Sequence, residues 1–172
     1  MKPKVLYHAS SNKNITLFVP RAEKMRDSEE GPRVFATPSY AMATIFIVNT
    51  DGSWANSGSV SGVPYIVVSD EARFKSLDTG GAIYSLSPDT FKNDPNKGLG
   101  PLEWTSAESV VPTDTEEFSS GLDAMLESGV QVYFVDKETY GRIQKSSDYG
   151  ISILNDSMSE NQKRGLNVSH PL

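Results

Sequence analysis

Breakers interrupt this chain before any apolar run grows long. Gly and Pro supply 13 and 10 of its 172 residues, and Asn, Asp and Ser fill the gaps between short hydrophobic stretches. Apolar runs of roughly four to eight residues bounded by such residues read as strands. A chain built this way predicts many short strands, few helices and long connections, which is an α+β arrangement. The regular strand–helix alternation of a doubly wound sheet is missing. Gly80-Gly81 lacks the further glycines and the following helix of a dinucleotide fingerprint, so it reads as a turn.

Residues 5–9 form the first clear strand, stopped by Ser10-Ser11-Asn12-Lys13-Asn14, and residues 15–19 form a second extended run ended by Pro20. Residues 21–32 are polar and read as a loop. Residues 33–37 make the next strand. Thr37 is a fitting N-cap and Pro38 a fitting first residue for a buried helix over 39–48, which carries Ala41, Ala43, Ile45, Phe46 and Val48. Residues 49–62 read as a long loop. A strand is expected over 65–68, a short helix capped by Ser69-Asp70 through Leu77, and a strand over 82–87. Residues 92–101 read as a loop, and 103–106 and 110–113 as extended.

Thr115-Glu116-Glu117 reads as the start of a helix, with carboxylates at its positive end. Phe118, Leu122, Met125 and Leu126 would form its apolar face and Gly129 its end. Residues 130–135 read as a strong strand, and Asp136 as the cap of a last helix bearing Tyr140 and Ile143. These elements divide the chain into one domain over 1–146 and a polar tail over 147–172, a short helix or a disordered segment.

The net charge of −6 and the scattered Lys and Arg speak against general nucleic-acid binding. Lys13, Arg21, Lys24, Arg26 and Arg33 fall in one early region, as a local basic patch or as solvated loop charges. The chain has no Cys, which removes disulfides, thiolate metal sites and cysteine nucleophiles. No apolar run approaches the roughly 20 residues that span a bilayer, and the start is too short for a signal-peptide core. A cytoplasmic location is the expectation.

His8 is one of two histidines and stands at the end of an apolar strand. It reads either as a structural histidine bonded at a strand end or as a site residue. No metal-ligand spacing surrounds it. A triad of Ser10, His8 and a distant Asp lacks the Gly-x-Ser-x-Gly elbow that would support it.

Tyr7-His8-Ala9-Ser10 is followed by Phe18-Val19-Pro20, a charged loop, Val34-Phe35-Ala36-Thr37-Pro38 and a helix beginning Ser39-Tyr40-Ala41. This series resembles the front half of the ADP-ribosyltransferase fold, in particular small bacterial members that modify rifampin and the related RNA 2′-phosphotransferases. Ala82 to Leu86, then Asn93-Asp94-Pro95-Asn96, then Glu103-Trp104-Thr105-Ser106 and Val110-Val111-Pro112 extend the resemblance over about residues 5–113.

The resemblance implies a split antiparallel β core with a nucleotide-binding cleft and peripheral helices, and NAD as substrate. It places His8 on the nicotinamide-ribose hydroxyls, which an imidazole can both donate to and accept from. The backbone of Ala9 and Ser10 would meet the nicotinamide amide. Tyr7 and Thr37 complete that wall, and Phe35 or Tyr40 would stack on the ring. Asp94 or Glu103 would steady the oxocarbenium-like state. Ala9 stands where the family has glycine and Phe35 where it often has tyrosine. The expected activity is NAD-dependent mono-ADP-ribosyl transfer to an unspecified acceptor. The alternatives are a non-catalytic nucleotide- or partner-binding module on the same fold, and RNA 2′-phosphate transfer.

Overall fold

The computed structural model describes residues 2–22 and 28–163. Among them the fold is mixed α+β, with three sheets of three strands each. The first sheet joins β1 (Leu6–Ser10), β5 (Gly81–Leu86) and β8 (Pro112–Phe118), antiparallel throughout. The second joins β2 (Val34–Ala36), β7 (Trp104–Ser106) and β6 (Lys92–Asn93), also antiparallel. The third joins β3 (Ala55–Val60), β4 (Val63–Val68) and β9 (Gln131–Phe134). Here β3 runs antiparallel to β4, while β9 runs parallel to it.

The third sheet carries the largest core. β4 and β9 are apolar on both faces because both faces are covered, as is usual for parallel neighbours. Ile66, Val68, Val132 and Phe134 pack with Met42, Ile45, Phe74 and Met125. On the other face Tyr65, Val67 and Tyr133 pack with Tyr140, Ile143 and Leu154. Those covering residues come from α1 (Tyr40–Thr44) and the 3-10 turn Ile45–Ile47 that continues it, α2 (Glu71–Leu77), α3 (Gly121–Glu127), α4 (Lys137–Lys145) and α5 (Ile151–Lys163). Within the tail a turn over 147–150 leads into α5, which seats Leu154 fully inside this cluster.

The first two sheets pack Leu6, Ala82, Tyr84 and Leu86 against Val34 and Ala36, and their backbones join at one bridge. Tyr7 and Thr37 exchange backbone hydrogen bonds of 2.8 and 2.9 Å, after which β1 and β2 part into different sheets. A second bridge, Phe18 to Val110, ties the 15–19 run to the chain before β8.

Four expectations need correction. The 92–101 loop opens with β6, which forms strand because β7 lies beside it, and runs into a 3-10 turn over Gly100–Leu102. The segment read as a helix from Thr115 is strand β8, and the helix starts only at Gly121 behind the cap Ser120. The cause is non-local. Asp78 accepts hydrogen bonds from Ser120 Oγ and from the amides of Gly121 and Leu122, at 2.9, 2.6 and 2.9 Å, and so fixes where the helix begins. The 49–62 loop contains β3, whose Asn, Ser and Gly residues form strand because β4 offers a complete ladder beside them. Ser39, not Thr37, caps α1 through the Met42 amide. Thr37 instead accepts from the Ser39 amide at 3.2 Å.

Candidate functional site

Side chains alternate across a strand, so Tyr7 and Ala9 leave β1 on one face while Leu6, His8 and Ser10 leave it on the other. The Ala9 methyl is buried with Ala43, Ile47, Ile83 and Ala124. An alanine here therefore does not crowd the face of His8. Ser10 Oγ accepts from the Asn12 amide at 3.1 Å, which turns the chain out of β1.

His8 reaches across the parting between β1 and β2. Its Nδ1 lies 2.7 Å from the Phe35 carbonyl oxygen. A carbonyl only accepts, so Nδ1 carries the hydrogen and Nε2 the lone pair. Burial holds the imidazole below its usual pKa. The Phe35 carbonyl pulls the other way, and the charge of Arg21 adds to the lowering. The ring rests against Phe18, with centroids 4.5 Å apart. His8 is thus a neutral imidazole of fixed tautomer at neutral pH.

Tyr7 leads to a different neighbourhood. Its ring meets Tyr40 edge-on, 5.2 Å between centroids. The Tyr40 hydroxyl donates to Glu116 Oε2 of β8 at 2.5 Å. Partial burial and then the Glu116 contact push the Tyr40 phenol above its ordinary range. The helix expectation for residues 115–117 hid this pair. Residues 113–117 are all polar and exposed, so no apolar alternation marks this strand and the pair follows only from the pairing of β8 with β5.

The second sheet gathers the remaining candidates. Phe35 is paired with Thr105, and Thr105 with Lys92. Val34, Ala36 and Ser106 are buried on the inner face. Alternation then puts Arg33 and Phe35, Glu103, Thr105 and Ala107, and Lys92 and Asp94 together on the outer face. A cavity of about 440 Å³ lies over part of that face, lined by Arg33, Lys92, Asp94, Thr105 and Glu108 among others. Asp94 lines this cavity, Phe35 pairs with the lining residue Thr105 and joins His8 through its carbonyl, and Glu103 lies just before β7 outside the lining. Asp94 Oδ1 also accepts from the Asn96 amide at 3.0 Å, as a turn-forming Asp does. Glu103 closes a 3-10 turn, and its carbonyl accepts from Asn93 Nδ2 at 2.8 Å.

Of the five early basic residues, three fall among the described ones. Lys13 lies 4.0 Å from Glu117 of β8, and Arg21 and Arg33 face each other across a backbone bridge. Lys24 and Arg26 lie outside the described residues. No group of three or more His, Cys, Asp or Glu suited to a metal occurs among the described residues, and no helix there is long and apolar enough to cross a membrane. The chain matches no protein-family model, no curated protein and no solved structure.

Proposed function

We propose that this protein is an NAD-consuming mono-ADP-ribosyltransferase whose nucleotide lies along the parting of β1 and β2 and over the Phe35 face of the second sheet. The observation that carries the reading is the link between His8 and Phe35. One hydrogen bond fixes the tautomer of the imidazole and ties it to the strand that presents the aromatic ring, which pairs with β7 directly after Glu103.

In this reading His8 Nε2 accepts a hydrogen bond from a ribose hydroxyl. Phe35 stacks on the nicotinamide, with Tyr40 as the other ring available. Glu103 immediately precedes β7, the strand next to Phe35, and Asp94 immediately follows β6, the strand beyond, so Glu103 is the first of the two carboxylates to test as the anion. Nicotinamide leaves with the electron pair of its bond to the ribose carbon. The carboxylate stabilises the positive charge left behind, and the acceptor supplies the new bond and gives up a proton.

The test is nicotinamide release from NAD, with and without candidate acceptors. His8→Ala is expected to abolish it, and Glu103→Gln to lower it by about 10²–10³-fold. Release that survives both substitutions would overturn the assignment.

Phe18 favours a second reading. Its buried ring sits against His8 and narrows the approach to the imidazole, which suits a module that binds a nucleotide without turning it over. Calorimetry separates the two. NAD bound and recovered intact supports the module, and no NAD binding rejects both.

A further inference from the structure

Four charged side chains line the cavity over the second sheet without pairing with one another. Arg33 and Lys92 are cations, and Asp94 and Glu108 are carboxylates. Arg33 donates to the neighbouring Pro32 carbonyl at 3.0 Å. The Asp94 carboxylate accepts only from the Asn96 amide among the described residues. None of the four has an ion-pair partner among them. Glu30, the other acid in the lining, is already matched by Lys97 at 3.2 Å.

The sheet holds these charges apart. Lys92 opens β6 and Asp94 follows its end, two residues on, a spacing of at most about 6.6–6.8 Å along extended chain. Arg33 lies across the sheet, beyond the Thr105 floor, and Glu108 follows Ala107 at the end nearer Arg33. The order along the strands is therefore Glu108, Arg33, Lys92, Asp94. A simple anion would suit the two central cations and leave Asp94 unmatched. A simple cation would suit either carboxylate and leave the centre unmatched. Only a molecule of both signs satisfies three of the four together.

We propose that this cavity binds a small zwitterion, its anionic group between Arg33 and Lys92 and its ammonium group against Asp94. Glu108 closes the opposite end and repels a second anion. A cavity of about 440 Å³ accepts a molecule of amino-acid size with water to spare. The cavity shares the outer face of the second sheet with the proposed nucleotide, so binding is tested without NAD, and its failure leaves the nicotinamide-release test untouched.

The probe is δ-aminovalerate, whose extended chain spans about one strand repeat of 6–7 Å. It is titrated into the full-length protein without NAD and followed by calorimetry and by amide chemical shifts. The expected result is saturable one-to-one binding that shifts the Thr105 and Lys92 amides. Valerate, pentylamine and glycine should each bind about tenfold or more weakly. Lys92→Gln and Asp94→Asn should each weaken δ-aminovalerate by a similar factor, while Glu108→Gln leaves it within about twofold. Asn at 94 keeps the oxygen that the Asn96 amide needs, so that variant tests the charge and not the turn. Equal binding of the single-charge probes, no binding at millimolar concentration, or indifference to both Lys92→Gln and Asp94→Asn would overturn the proposal.

Discussion

His8 donates from Nδ1 to a backbone carbonyl and is held neutral by burial, so its protonation is linked to folding. The unfolded chain binds the proton with the ordinary value of 6.5 and the native protein only at lower pH. A depressed native pKa contributes stability that is fully present above the unfolded value and is lost as pH falls through the native one. Urea midpoints should therefore decline as pH drops below about 6.5. His8→Gln should show a shallower decline, because a neutral amide keeps a donor for Phe35 and has no proton to gain. The difference between the two profiles isolates His8 from the carboxylates, and parallel profiles would refute the linkage. The other histidine, His170, lies outside the described residues.

Elements are placed by contacts as much as by local pattern. Gly81 opens β5 directly against β1, where a Cβ would meet the Ser10 carbonyl oxygen at 2.3 Å. Backbone cannot yield there without opening the β1–β5 ladder that carries His8. Gly81→Ala is expected to destabilise the fold by about 2–4 kcal/mol in urea unfolding. A loss below about 0.5 kcal/mol would mean the ladder is looser than it looks.

The same reasoning explains what could be read from the residues alone. β1, β4 and β9 were legible because their runs are apolar and bounded by breakers, and α2 and α4 because Asp70 and Asp136 cap them from within the local sequence. β3 and β8 were not, because their residues are polar and their strand state rests on a neighbour found elsewhere in the chain. The spacing from Phe118 to Leu122 mimics one helical face, yet a strand end and the Asp78-bound cap lie between them. At the site, the Tyr7-His8 pair and the Phe35 strand were visible as motifs. The Tyr40–Glu116 bond and the cavity charges depend on sheet register, which no local pattern encodes.

At the scale of the whole molecule, the first sheet ends on an exposed edge. β8 is the outer strand of the order β1-β5-β8, and Thr113 to Glu117 are all exposed. An unpaired strand edge is a template for pairing with another chain, and charged residues on it oppose that pairing. Asp114, Glu116 and Glu117 put three carboxylates on this strand, within a chain of net charge −6. Two copies approaching edge to edge would bring these carboxylates together. Replacing Asp114 and Glu117 by valine, and leaving Glu116 to Tyr40, should shift the protein toward larger species in light scattering. Raising the salt should shift the wild type the same way but less, since screening weakens repulsion without adding apolar contact. The control is the pair Asp123→Val and Glu138→Val on α3 and α4, which removes the same charge away from any strand edge. If the control associates as strongly as the β8 variant, net charge and not the guarded edge keeps the copies apart.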